Sequence, residues 1–322
     1  MKALVTGATG FVGSHLAEAL RQRNYEMTAL ARSPRKAAVL ASQGIRVVGG
    51  DLHDAEALER AAEGQDIVYH VAGVVAARDE VEFLRGNRDG TRNVLAAAER
   101  TGKPRFVLVS SLAAVGPSAR GAPLTGREAP HPVTAYGRSK LAAEQLVMES
   151  SLRWSIVRPP IVYGPRDREI LKVFKLARLR IAPVFGDGGQ ELSAVHASDL
   201  ATALIAAGES AATVGGTYTA CHPEVITTAE FGSAVGATMG RPVATVRIPA
   251  SLGRALLRVS ETAARLTRQV TILTADKANE LFQPAWTGDP SPLTRDSGWS
   301  AAYDLQRGLA DTYAWYRRAG WL

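Results

Sequence analysis

The stretch "TGATGFVG", Thr6 to Gly13, decides the fold. It follows the short β-branched run "KALVTG" and precedes a helical pattern from Phe11 to Gln22, with Phe11, Val12, Leu16, Ala19 and Leu20 on one face. Glycines at 7, 10 and 13 in a strand-to-helix turn permit a tight bend and a close backbone approach to a pyrophosphate. The negative charge of that pyrophosphate then meets the helix N-terminus. A glycine triad alone is weak evidence, but directly between a strand and a helix it reads as a dinucleotide-binding turn.

Outward from this turn the first half keeps alternating. "EMTALA" (26–31), "IRVVGG" (45–50), "DIVYHVA" (66–72), "RFVLVSS" (105–111) and "WSIVRP" (154–159) read as further strands. Helices are predicted at Ala55 to Glu63, Val81 to Arg100 and Ala135 to Glu149. Strands this apolar, separated by helices, imply a parallel sheet covered on both faces, a doubly wound α/β Rossmann fold. After about Pro160 the pattern breaks into Pro/Gly-rich joints such as "VFGDGGQ" and "TVGGTY". Residues 1–160 are therefore expected to form the dinucleotide domain, with a segment near 195–220 returning to it. Residues 161–322 are expected to form mainly a smaller, discontinuous substrate lobe. The tail "LADTYAWYRRAGWL" reads as a closing amphipathic helix whose aromatics face a core.

Composition excludes several classes. One cysteine, Cys221, leaves no internal disulfide framework and no multi-cysteine metal site, and suits a reducing cytoplasm. No metal is expected, since His196 has no second ligand at metal spacing; it reads as a cap or as filling of the lobe. The opening apolar run, Ala3 to Val5, is too short for a secretion signal, and no run approaches the ~18 residues of a membrane span. The net charge of +7 favours anionic partners, but no basic stripe interleaves with aromatics, so nucleic acid is not expected. A phosphorylated cofactor uses the charge better.

The end of the second strand supports that choice. "ALARSPRKA" carries Arg32, Arg35 and Lys36 where a carboxylate would accept from the adenosine ribose of the unphosphorylated cofactor. A guanidinium grips a 2′-phosphate that a carboxylate would repel, so NADP(H) is favoured over NAD(H). Asp51 and Leu52, after the third strand, then lie beside the adenine.

The fifth strand ends in Ser110 and Ser111, and "YGRSK" places Tyr136 four residues before Lys140 on one helix face. Strand carboxyl ends line the ligand crevice of such sheets, so these groups can meet there. A phenol near pKa 10 needs a nearby cation to act at neutral pH, and Lys140 offers one. Tyr136 would move a proton at the substrate oxygen, while Ser111 holds the carbonyl.

Taken together, "TGATGFVG", "DL" at 51–52, "HVAG" at 70–73, "NRDGTRNVL" at 87–95, "SSLAAVG", "YGRSK", "RPPIVYGP" and "HASDLA" resemble the extended short-chain dehydrogenase/reductase family over nearly the whole chain. The resemblance implies a Ser111–Tyr136–Lys140 triad, with Ser111 rather than Ser110. It implies cofactor contacts from Gly7, Thr9, Gly10, Phe11, Val12, Gly13, Arg32, Lys36, Asp51, Leu52, Ala72, Gly73, Tyr136, Lys140, Pro159 and Ile161. It also implies a homodimer through the helices at 81–100 and 135–149. Asn87 matches a recurring family asparagine, either catalytic or a structural bond to backbone.

Three functions fit these residues. The first is an NADP(H)-dependent oxidoreductase of an apolar ketone or secondary alcohol. The alternative is a nucleotide-sugar epimerase or dehydratase, and a more remote one is a non-catalytic redox sensor. Nucleotide-sugar enzymes resembling this one carry an asparagine where "RPPIVYGP" has Ile161, and an arginine where "GDGGQELSAVH" has Leu192. Both substitutions speak for an apolar substrate. Finally, Ser251 to Val270 aligns Leu252, Leu256, Val259, Ala263 and Leu266 on one side and four arginines elsewhere. It reads as a lid helix over the substrate pocket, and the same pattern also fits peripheral contact with a membrane surface.

Overall fold

A computed structural model describes residues 1–267 and 269–322. The chain opens with β1 (Lys2–Thr6), α1 (Phe11–Gln22), β2 (Glu26–Ala31), α2 (Pro34–Ser42), β3 (Arg46–Gly49), α3 (Ala55–Ala62) and β4 (Ile67–His70). Then α4 (Glu80–Leu84) passes through a turn of π-helix, Arg85–Asp89, into α5 (Gly90–Arg100). Next come β5 (Arg105–Val109), the single turn α6 (Leu112–Val115), α7 (Ala135–Glu149) and β6 (Trp154–Arg158).

The second half is more broken. It contains β7 (Ile161–Tyr163), α8 (Glu169–Arg178), β8 (Ile181–Phe185), β9 (Glu191–Leu192), β10 (Ala194–His196), α9 (Ala197–Glu209), β11 (Gly216–Thr219) and β12 (Ile226–Thr227). It closes with α10 (Thr228–Thr238), β13 (Ala244–Ile248), α11 (Ala250–Leu266), α12 (Ala278–Leu281), β14 (Ala285–Trp286), α13 (Ser291–Ser297) and α14 (Leu305–Arg318). Of the arginines expected on the Ser251–Val270 helix, Arg268 lies outside the described residues.

Seven strands form one parallel sheet in the order β11-β6-β5-β4-β1-β2-β3. The order reverses between β1 and β4, where Val5 lies opposite both Ala29 and Tyr69, and such a switch point opens a crevice at the strand ends. One face of the sheet packs on α1 and α9 through Leu16, Leu20, Leu200 and Leu204; the other packs on α3, α5 and α7 through Leu58, Leu95, Ala143 and Val147. The expected doubly wound sheet is therefore present. Burial on both faces is why its strands read as unbroken apolar runs. Truncating any of these buried leucines to alanine costs about 2–5 kcal/mol in such cores.

Two strand and helix boundaries differ from the sequence reading in instructive ways. Arg32 is followed by a helix, α2, which starts at Pro34 behind Ser33 and which the sequence reading did not name. The helix expected over Val81 to Arg100 is interrupted by the π turn, whose extra residue swings Asn87 inward to a buried position. Beyond the main sheet, β7 pairs with β10, β8 with β13, and β9 lies between β12 and β14. A separate core of Phe174, Ile226, Phe231, Leu309 and Tyr316 holds these pieces, with Tyr313 stacked on Phe174. The closing aromatics thus do face a core.

Candidate active site

The glycine turn is tight for stated reasons. Gly7 has φ +76°, and a Cβ there would sit 2.7 Å from the Ala72 amide nitrogen at the end of β4. A Cβ on Gly13 would meet the Gly7 carbonyl oxygen at 2.1 Å, so only glycine lets α1 start this close to β1. Gly10 donates its N–H to that same carbonyl at 2.9 Å and caps α1 without any side-chain bond. Thr9, Phe11 and Val12 flank it half-buried, and the first turn of α1 carries no acid. The amides there remain open to an anion.

At the next two strand ends the side chains face solvent. Arg32, Arg35 and Lys36 are exposed around the start of α2. Asp51 is exposed and accepts from the His53 amide at 2.7 Å, while Leu52 packs against Gly90 and its carbonyl accepts from Asn93 at 2.8 Å.

The crevice floor is a buried hydrogen-bond chain. Thr6 Oγ1 accepts from the Ala72 amide (3.2 Å) and sits 2.7 Å from His70 Nδ1. Thr91 donates to the Asn87 carbonyl (2.6 Å), which leaves its oxygen to accept from His70 Nε2 at 3.0 Å. This pattern assigns His70 as a neutral imidazole protonated on Nε2. Burial first, and the Lys140 ammonium second, push its pKa down to about 3. The Asn87 amide accepts from Val74 N–H (2.7 Å) and donates to the Val74 carbonyl (3.0 Å) and to Ser139 Oγ (2.9 Å). Ser139 in turn donates to the Tyr136 carbonyl at 2.7 Å. Asn87 thus clamps Val74, the residue after Gly73, to α7.

Above this floor the three expected groups converge. Ser111 stands two residues past β5, caps α6 by accepting from Ala113 N–H at 3.1 Å, and lies close enough to the Tyr136 phenol to lower its pKa. Lys140 lies one turn along α7, buried, and donates to the Val109 carbonyl at 2.7 Å. A Cβ on Gly73 would be 3.7 Å from its Nζ. Burial lowers the Lys140 pKa to about 8 against the opposing pull of Glu144. The Tyr136 phenol moves the other way. Burial pushes it up to about 12, Ser111 pulls it down, and Glu280 adds to the rise. The sequence reading had Lys140 favouring the phenolate; in the free protein burial sets the direction, and Lys140 is not among the groups that shift the phenol.

Other expected residues occupy varied positions. Pro159 is buried and accepts from Leu112 N–H at 3.1 Å. Ile161 is half-buried at the edge of the second core, and Leu192 is buried in β9 opposite Ile226 and Trp286. His196 caps α9 through Ser198 N–H and stacks on Tyr303 at 4.1 Å, with burial lowering its pKa to about 3. Among the described residues no three His, Cys, Asp or Glu side chains converge as metal ligands would.

Sequence reasoning missed four residues that shape the site. Arg158 forks onto the Glu144 carboxylate at 2.9 and 2.6 Å, both side chains fully out of solvent. Glu144 stands four residues after Lys140, a spacing that was visible in the sequence. Asp276 accepts from Ala135 N–H (2.8 Å) and Glu280 from Thr134 Oγ1 (2.8 Å), so a distant segment caps the start of α7. No local pattern signals those two.

A family model described as "NAD dependent epimerase/dehydratase family" matches residues 3–221. The chain belongs to that family, within the extended short-chain dehydrogenases/reductases. It is similar to the ceramide reductase of Caulobacter vibrioides, 33% identical across 99% of this chain and 95% of that protein. It is also similar to the 2-alkyl-3-oxoalkanoate reductase of Shewanella oneidensis, 28% identical across 95% of this chain and 84% of that one. Among solved structures, MoeE5 in complex with UDP-glucose and NAD superposes with a TM-score of 0.79 at 25% identity, covering 99% of each chain.

The residues present fit the family's nicotinamide dinucleotide. The bare glycine turn and the open amides of α1 suit a pyrophosphate, and Lys140 beside Gly73 suits a ribose hydroxyl. Ser110 Oγ, buried next to Ser111, has no partner among the described residues.

Proposed function

We propose that this family member is an NADPH-dependent oxidoreductase that reduces a ketone on a long-chain, apolar substrate. The observation that carries the reading is the convergence of the Ser111 and Tyr136 hydroxyls with Lys140 next to Gly73. When bound, the cofactor supplies the hydride. The chain's own part is proton handling. With a pKa pushed up to about 12, Tyr136 is protonated at neutral pH, the form a reductase needs to donate to a developing alkoxide. Ser111 donates to the same oxygen and Lys140, still charged below about pH 8, steadies the phenolate left behind.

Three further features support the details. Arg32, Arg35 and Lys36 are exposed around the start of α2, next to the end of β2, which favours NADPH. Half-buried Phe83 approaches Tyr136 to 5.9 Å, and Ile161 and Leu192 are apolar, which favours an apolar substrate. The ceramide and alkyl-oxoalkanoate relatives carry names of the same chemical character. The likeness to MoeE5 with UDP-glucose keeps a nucleotide-sugar epimerase as the second reading. Against it, Leu192 is enclosed by its neighbouring strands and offers a pyrophosphate nothing.

The test is a panel of long-chain ketones and UDP-sugars with NADPH and NADH, following reduced-nicotinamide absorbance. Tyr136→Phe should lower ketone turnover by about 100-fold or more with cofactor affinity little changed. Turnover within threefold of wild type, or UDP-sugar epimerisation in place of ketone reduction, would defeat the proposal.

A further inference from the structure

The apolar side of α11 has no partner among the described residues. Leu252, Leu256, Val259 and Leu266 are 52%, 50%, 67% and 81% exposed, and with Ala263 they recur every three or four residues as one stripe. The stripe is not the side by which α11 is anchored. That side is Gly253 and Leu257, the helix's only buried residues. A Cβ on Gly253 would meet the Phe282 ring at 2.8 Å and the Phe185 ring at 3.0 Å.

Charge singles out one kind of occupant. From Arg241 to Arg268 the sequence holds six arginines against one acid, Glu261, a local net of +5 within a chain of +7. Glu261 is committed to Arg265 and to the Ala275 amide. An exposed helix with leucine and valine on one face and arginine on another is the pattern that lies in the plane of an anionic lipid interface. Among the described residues no helix is long and apolar enough to cross a membrane, so the contact is one of surface. The segment leaving α11 leads to Asp276 and Glu280, which cap α7 beside Tyr136.

We propose that the α11 stripe docks on a bilayer containing anionic phospholipid and so brings the Tyr136 end of the crevice to the membrane surface. The use of such docking, access to an apolar ketone held in the bilayer, rests on the proposed function; the docking itself does not.

The experiment is co-sedimentation of the purified full chain with sucrose-loaded vesicles of phosphatidylglycerol and phosphatidylcholine, or of phosphatidylcholine alone. Binding to the anionic vesicles should be at least about tenfold tighter and should weaken as salt rises. The pair Leu256→Asp and Val259→Asp should weaken it by about tenfold or more, and so should Arg247→Glu with Arg258→Glu, each with an unchanged melting temperature. Absence of binding at low salt, or binding unaltered in both double variants, would overturn docking. So would a stripe variant that splits a dimer, or shifts KM for a soluble ketone, while sedimentation is unchanged; these outcomes assign the stripe to a second copy or to lid closure. Vesicle binding without any ketone turnover upholds docking and removes the reductase reading, so the two failures are distinguishable.

Discussion

Leu16 of α1 and Leu256 of α11 both stand on the apolar stripe of an amphipathic helix, yet the first is 0% exposed and the second 50%. The surroundings differ, not the pattern. α1 lies on a seven-stranded sheet with α9 beside it, whereas α11 has the single turn α12 and Phe185 at the end of β8 for neighbours. A periodic stripe states that a helix needs an apolar partner, and only long-range topology says whether the chain itself provides it. Polar groups follow the same division. Around the crevice they are buried and joined in chains, from Thr6 through His70 and Thr91 to Asn87. On α11 they face solvent.

The contrast can be broken most forcefully at the buried ion pair behind Lys140. Glu144→Ala leaves the Arg158 guanidinium buried without its anion, and should cost about 3–5 kcal/mol in urea unfolding. A loss below about 1 kcal/mol would mean that the crevice side is no more tightly coupled than the lobe. Arg32→Asp probes the rim of the same half, where the side chain is exposed and stability should hold. It should weaken NADPH by about 2–4 kcal/mol, on the scale of lost charge-assisted hydrogen bonds plus new repulsion, and leave NADH near its wild-type affinity. Tighter binding of NADH than NADPH by the wild type in calorimetry would contradict the assignment. The smallest effect sharpens the comparison from the other side. Leu256→Ser should change unfolding free energy by no more than about 0.5 kcal/mol, since the side chain buries little in the free protein. A loss like that of a core leucine would show a covered stripe.

Much of the crevice half was legible because its signals are local. Each of the six strands read from the first 160 residues pairs in the main sheet. The seventh strand, Gly216–Thr219, hid inside a glycine-rich word that read as a joint, because a four-residue edge strand carries almost no periodicity. Ser111, Tyr136 and Lys140 were visible through family likeness, and the structure brings them together. The direction of the Tyr136 shift was not visible, since it depends on burial in the folded crevice, where Phe83 packs nearby, and on the charge of Glu280 from far along the chain. The inward turn of Asn87 was hidden for a related reason: a π turn leaves no mark in hydrophobic spacing.

The bond from Ala135 N–H to Asp276 spans 141 residues, and that from Thr134 to Glu280 spans 146. During synthesis on the ribosome, the strands and the glycine turn emerge long before the residues that cap the tyrosine-bearing helix. Domains assemble from the N-terminal side as they emerge, and contacts so distant in sequence form late. The nascent chain therefore builds its cofactor cradle first and finishes the reactive end of α7 only when its last sixth is being made.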